Sequence, residues 1–226
     1  MTPWLTIVVP VLNETPAIVP CLRELAGLRE HGAEVIVVDG GSSDATVEAA
    51  APLADQVLRG PRGRARQMNA GAAQARGDTL LFLHADTRLP GDALAAIQSA
   101  LATPRAHWGR FDVRIAGRPR MLRLVAGLMN LRSRISGIAT GDQAIFVRRD
   151  SFARVGGFPD QPLMEDIELS RRLRALSRPA CLRQRVTTSG RRWERGGVWR
   201  TIALMWRLRW LYWTGTPPER LAELYE

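Results

Sequence analysis

The chain has 226 residues and 46% hydrophobic content, enough for the core of one large α/β domain and too apolar for global disorder. Formal net charge is +10 and all 32 basic residues are arginine, so neither a P-loop lysine nor a Schiff-base lysine exists and those two enzyme classes are excluded. The positive balance favours anionic partners: nucleotide phosphates, lipid headgroups or nucleic acid. Cys21 and Cys181 have no metal or redox spacing. No uninterrupted apolar stretch reaches the roughly 18–20 residues of a membrane span, and MTPWLTIVVP lacks the basic region of a secretory leader. A reduced, cytoplasmic protein is expected.

In chain order, WLTIVVPVL (4–12) reads as a buried strand that contains Pro10 and ends at Asn13-Glu14. Pro16 to Glu30 follows as a helix, with Leu22, Leu25 and Leu28 at helical spacing. EVIVVDGG (34–41) is a second buried strand, ending in Asp39. Ser43 to Ala54 is a helix with a Ser/Asp start signal, and Gly63 to Arg76 is an Ala-rich helix. Thr79 to His84, apolar from Leu80 to Leu83, is a third strong strand that delivers His84-Ala85-Asp86 at its tip. Strand–helix alternation of this length implies a parallel sheet with right-handed crossovers.

The second half is less regular. It reads as a helix over Asp92–Ala102, a strand RFDVRI (110–115), an amphipathic helix over Met121–Ile135 and a strand QAIFVRRD (143–150). A helix over Met164–Leu176 opens with Glu165-Asp166, and a strongly apolar Val198–Trp213 is interrupted by Arg200, Arg207 and Arg209. No internal repeat or linker divides the chain, so the expectation is one domain over 1–190 and a helical extension over 191–226.

Three acidic sites follow apolar strands: Glu14, Asp39 and Asp86. Each alone is equally a cap or turn residue. Together, at the carboxyl edge of one parallel sheet, they converge as ligand sites do in open α/β folds. Gly40, Gly41, Ser42 and Ser43 let the backbone turn after Asp39 and present N–H groups, but the loop is not G-x-G-x-x-G, so no dinucleotide fingerprint is present. GPRGRARQMN (60–69) leads into the third helix, where Arg64 and Arg66 either meet a diphosphate or form a solvated basic face.

TIVVPVLNE, VIVVDGGSSDAT, ARQMNAGAAQARGDTLLFLHADT, GDQAIFVRRDSF and the MEDIELSRRL block, in this order, resemble the family-2 glycosyltransferases over residues 4 to about 176. The resemblance implies a GT-A (nucleotide-diphospho-sugar transferase, Rossmann-like) fold, with a mixed, mostly parallel central sheet flanked by helices. It implies inverting transfer of a sugar from a nucleotide-sugar donor to an acceptor that the sequence does not identify. Carried over, Pro10, Asn13, Glu14, Asp39 and Ser42 belong to the nucleotide side, with Arg64, Arg66 and Asn69 from the third helix. His84-Ala85-Asp86 stands where the family has Asp-x-Asp, so Asp86 is the expected ligand of a Mn²⁺ or Mg²⁺ ion on the diphosphate. His84 suits Mn²⁺ better than Mg²⁺; it joins the metal, faces the ribose or hydrogen-bonds a neighbouring strand end. Asp166 is the expected base, with Glu165 orienting. Read without the resemblance, the pair is an acidic first turn favourable to the helix dipole.

Gly141, Asp142 and Gln143 form a polar cluster expected on the acceptor side. SGRRWERGG (189–197) partly matches the Q-x-x-R-W element of processive relatives: Arg192-Trp193 fits, Ser189 replaces Gln. Processive synthesis is therefore not expected. Trp199, Trp206, Trp210 and Trp213 with interspersed Arg suit packing on the domain, a homodimer interface or peripheral attachment to the inner face of a membrane. Other readings are a nucleotidyltransferase, against which VLNETPA lacks a Gly-rich basic loop, and an inactive sugar-nucleotide binder. Nucleic-acid binding is not expected, because the Arg residues are scattered.

Overall fold

A computed structural model describes residues 3–225, so Met1, Thr2 and Glu226 of the expected segments lie outside the described residues. Strand β1 (Leu5–Val11), helix α1 (Thr15–Glu30), strand β2 (Ala33–Asp39), helix α2 (Thr46–Ala50), strand β3 (Gln56–Arg59), helix α3 (Arg64–Gln74) and strand β4 (Thr79–Phe82) form the first half. Strand β5 (Thr87–Arg88), helix α4 (Ala93–Ala100), strand β6 (Trp108–Ala116), helix α5 (Met121–Ser136), a 3₁₀ turn over Gly141–Gln143, strand β7 (Phe146–Arg148) and helix α6 (Arg149–Arg154) follow. Helix α7 (Glu165–Arg174), strand β8 (Ala180–Ser189) and helices α8 (Arg191–Gly196), α9 (Val198–Trp213) and α10 (Pro218–Tyr225) complete it.

The eight strands make one sheet in the order β3-β2-β1-β4-β7-β6-β8-β5. β3, β2, β1 and β4 run parallel, β7 is antiparallel to β4 and β6, and β8 runs parallel to β6. Alternation assigns the faces. Leu5, Ile7, Val9 and Val11 of β1 pack with Ile18, Leu22 and Leu25 of α1 and with α4 and α5. Val8 of β1, Ile36 and Val38 of β2 and Phe82 of β4 pack with Ala65 and Met68 of α3, Phe152 of α6 and Leu169 of α7. Both faces are covered, which is why β1, β2 and β4 read as continuous apolar runs. Gly71 permits α3 to lie this close: a Cβ there would sit 2.4 Å from Val8 Cγ1.

The sheet grows from β1 to β2 and β3, then returns to place β4 on the other side of β1. The carboxyl ends of β1 and β4 therefore flank the point where the strand order reverses, the position of the ligand crevice in open α/β sheets, and the loops leaving both lead to helices on one face, α1 and α4. That is where Glu14 and Asp86 emerge.

Several boundaries depart from the sequence pattern. The helix expected over Ser43–Ala54 is confined to Thr46–Ala50, because Ser42, Ser43 and Asp44 are engaged in loop hydrogen bonds. The strand expected over 143–150 keeps only Phe146–Arg148; Gln143 closes the preceding turn and Arg149 opens α6. β3 and β8 carry no apolar run. β8, sequence ACLRQRVTTS, is half-exposed along most of its length, which hides its alternation.

Candidate functional site

The first wall is a weld between two strand ends. Asn13 has a left-handed backbone (φ 55°), which turns the chain out of β1. Its side-chain oxygen accepts from the Ser43 N–H at 2.8 Å, and its own N–H donates to Ser42 Oγ at 2.8 Å. Asp39, buried at the end of β2, accepts from the Gly41 N–H at 3.0 Å and the Ser42 N–H at 3.1 Å. Gly41 has φ 94°, a conformation that glycine adopts without strain. Gln67 of α3 clamps the same strand ends from below: its amide donates to Val11 O at 2.7 Å and Val38 O at 2.8 Å. Pro10 sits within β1 opposite Val38.

The second wall is the β4 tip. Ala85 is buried; His84 and Asp86 are turned toward the crevice edge and partly exposed. Asp86 Oδ2 lies 3.4 Å from Arg191 Nη2, and the same nitrogen lies 3.5 Å from Glu14 Oε2. His84 Nδ1 lies 3.6 Å from Asp142 Oδ1. The ring also packs on Gly141, where a Cβ would sit 2.6 Å from its Cε1.

The third wall is the start of α7. Met164, buried and left-handed at φ 66°, introduces Glu165 and Asp166, a strained entry of the kind that clusters at functional sites. Asp166 Oδ2 accepts from the Gly141 N–H at 2.8 Å and Oδ1 from the Ile167 N–H at 2.7 Å. Glu165 Oε1 lies 3.7 Å from Arg64 Nη1. Burial, then the neighbouring Asp166 charge, pushes the Glu165 carboxyl up to about 7 against the pull of Arg64. Burial raises Asp166 as well, opposed by its two backbone donors and Arg64. Burial also acts upward on Asp142, but His84, Arg64 and Arg192 outweigh it and hold that carboxyl below its usual range.

Five expected residues have their side chains engaged outside these walls. Gln143 is fully buried and closes its own turn with Thr140 instead of lining the acceptor side. Asn69 has its amide engaged with the Phe158 backbone, donating at 2.8 Å and accepting at 3.0 Å. Arg66 pairs with Asp160 at 2.6 Å on the surface. Trp193 packs on the core. Arg192 stacks on Tyr225, 3.5 Å from the ring centroid, and donates to its carbonyl oxygen at 2.8 Å. Gln67, Arg191 and Tyr225 were not found from sequence. Gln67 lies inside the ARQMN block and Arg191 beside Arg192-Trp193, so both motifs pointed one or two residues away.

A cleft of about 430 Å³ between α1 and the β5–α4 segment shares none of these residues. Its thiol, Cys21, is pushed up to about 12 by burial and is no nucleophile.

A family model described as Glycosyl transferase family 2 matches residues 6–154. The chain is 26% identical to the Beta-monoglucosyldiacylglycerol synthase of Synechocystis sp. over 96% of its own length, and spans about half (51%) of that relative. Among solved structures it is similar to S. aureus TarS 1–349 in complex with UDP, with TM-score 0.65 and 20% identity over 82% of this chain and 60% of that one. It is also similar to the mannosyltransferase PcManGT of Pyrobaculum calidifontis in complex with GDP-Man and Mn²⁺, with TM-score 0.61 and 25% identity over 83% of this chain and 57% of that one. Glu165, Asp166 and everything C-terminal to them lie beyond the span that the family model matches.

Proposed function

The chain belongs to glycosyl transferase family 2 with a GT-A fold, and we propose that it transfers a sugar, with inversion, from a nucleotide-diphosphate donor to an acceptor hydroxyl. One observation carries this reading: carboxylates at the tips of three adjacent parallel strands, Glu14, Asp39 and Asp86, stand at one sheet edge that His84 and the Gly141 turn join to buried Glu165 and half-buried Asp166. The strand-tip side suits the donor. Asp39 and Ser42 order the loop that takes the nucleoside in this reading, and Glu14 and Asp86 stand at the tips of β1 and β4.

Among the described residues no group of three or more His, Cys, Asp and Glu side chains is placed to hold a metal ion. The donor set still fits a hard cation of the kind held by one or two carboxylates together with substrate phosphates. Asp86, partly exposed and with His84 beside it, is the residue for that ion. Bound there, Mn²⁺ or Mg²⁺ supplies charge neutralisation to the departing diphosphate. The relatives solved with GDP-Man and Mn²⁺, and with UDP, support a nucleotide donor and a divalent ion for this chain.

Asp166 takes the acceptor proton in this reading. Its two backbone donors fix the carboxylate in one orientation, leaving lone pairs on both oxygens for the incoming hydroxyl. The hydroxyl oxygen bonds to the anomeric carbon, the bond from that carbon to the diphosphate breaks, and the proton rests on Asp166. Glu165 beside it is held by Arg64, while burial pushes its own carboxyl up to about 7. Release of nucleoside diphosphate, assayed over a panel of nucleotide sugars and acceptors, tests the reading: one donor should be cleaved faster in the presence of its acceptor, and no release from any donor would refute it.

The acceptor side points to a lipid. Leu124, Leu128, Leu131 and Ile135 of α5 recur at helical spacing and are 54–70% exposed. Trp199, Trp206, Trp210 and Trp213 of α9 form a second such stripe, 70–76% exposed. Neither helix contains an Asp or Glu, and both carry Arg. Two copies meeting through such basic faces would repel, whereas an anionic lipid surface complements them. No helix among the described residues is long and apolar enough to cross a membrane, so attachment would lie in the interface. The opposite face of α9 packs Leu208 against Met164 and Ile167, directly around the acid pair. The Synechocystis relative is named for a glucosylated diacylglycerol, which agrees with a lipid or lipid-linked acceptor.

A further inference from the structure

Arg191 opens α8 and is the residue by which the C-terminal helices reach the strand tips. One nitrogen, Nη2, touches both Asp86 Oδ2 at 3.4 Å and Glu14 Oε2 at 3.5 Å. It therefore bridges carboxylates from two different strand ends across the crevice mouth. Its backbone N–H donates to Ser189 Oγ at 3.2 Å, which anchors the start of α8 to the end of β8. The three side chains are each a third to a half exposed, so the bridge is weak and yields to competitors. Arg192 is different: its guanidinium is committed to Tyr225.

A cation approaching Asp86 meets a guanidinium on the same carboxylate oxygen. Two positive charges cannot share that oxygen without mutual repulsion. A diphosphate removes the conflict, because it brings anionic oxygens on which a guanidinium fork closes in bidentate fashion. Resting on the glycosyltransferase reading above, we propose that Arg191 exchanges partners when the donor binds, leaving Glu14 and Asp86 and taking the donor's diphosphate. In the first position it holds the acidic tips together and opposes cation binding without donor. In the second it is a donor-binding residue. The C-terminal helices then supply part of the donor site, beyond the span matched by the family model.

The exchange predicts effects of opposite sign in two titrations that need no turnover, on Arg191→Ala, Arg191→Lys and the unaltered chain, each normalised to folded protein by circular dichroism. Mn²⁺ alone, followed by the paramagnetic resonance of the free ion, should bind Arg191→Ala several-fold more tightly than the unaltered protein. UDP, GDP, ADP and inorganic diphosphate in saturating Mn²⁺, followed by calorimetry, should bind Arg191→Ala roughly tenfold to a hundredfold more weakly, the loss expected for one charge-assisted contact. Arg191→Lys should lie between, since it keeps the charge without the fork. Unchanged Mn²⁺ affinity, or changes of one sign in both titrations, overturns the exchange. If the unaltered protein binds a diphosphate and Arg191→Ala binds it equally, only the Arg191 assignment falls. If the unaltered protein binds none of the four, the glycosyltransferase reading falls and the exchange with it.

Discussion

Asp166 and Glu165 are adjacent in sequence yet differently held. Asp166 is oriented by two backbone N–H groups, Glu165 by an arginine, and burial raises both. Asp166→Asn should lower turnover by roughly a hundredfold or more, the scale of general-base loss, with donor affinity nearly unchanged. Near-normal turnover in steady-state kinetics would transfer the role to Glu165 or Asp142. The raised pair also sets the pH dependence. A base must be ionised, so the acid limb of the kcat profile should lie above the 3.8 of an ordinary aspartate, because burial raises Asp166. Stability runs the other way. A carboxyl raised on folding contributes stability that is complete below its unfolded value and lost as pH rises through the folded one. Chemical denaturation between pH 4.5 and 7 should show that loss, and Glu165→Gln should flatten it.

At the level of elements, the strand tips depend on α3. Gln67 satisfies two buried carbonyls where β1 and β2 end, so Gln67→Ala should cost about 2 kcal/mol in urea denaturation, the scale of leaving buried acceptors unpaired. A loss below about 0.5 kcal/mol would mean that water replaces the amide. The same elements show what a sequence conveys. β1, β2 and β4 were legible because burial on both faces removes polar residues from them. α9 was legible from its apolar content. β8 was not, because Arg183, Gln184 and Arg185 interrupt its pattern while β6 pairs with it along nearly its whole length. Site residues on strand ends followed from the strands; Gln143 and Asn69 did not, because the same polar residue types line a site or tie its loops together. The motif pointed one residue past Arg191, whose contacts join strand tips far apart in the chain and cannot be read from its neighbours.

For the whole molecule, the two exposed stripes and the +10 formal charge act together. Each well-placed Arg near an anionic leaflet adds about 1 kcal/mol, and Trp settles at the interface. The protein should float with anionic vesicles at low salt and be released as salt rises. Sedimentation under all conditions, together with a dimer in solution, would assign the stripes to a second copy and remove the support for a lipid acceptor. Trp206→Ala with Trp210→Ala should weaken flotation while leaving nucleoside diphosphate affinity intact, because both rings are 70–75% exposed and take no part in the strand-tip hydrogen bonds. The donor side stands independently of that outcome. Its central claim is that the carboxylate at the β4 tip holds a divalent ion on the donor's diphosphate. Calorimetric titration with nucleoside diphosphates, in Mn²⁺ and in EDTA, for the unaltered chain and Asp86→Ala, tests it most directly. Tight binding that requires Mn²⁺ and loses that requirement in Asp86→Ala is the expected result; equal affinity in Mn²⁺ and EDTA for the unaltered chain would contradict it.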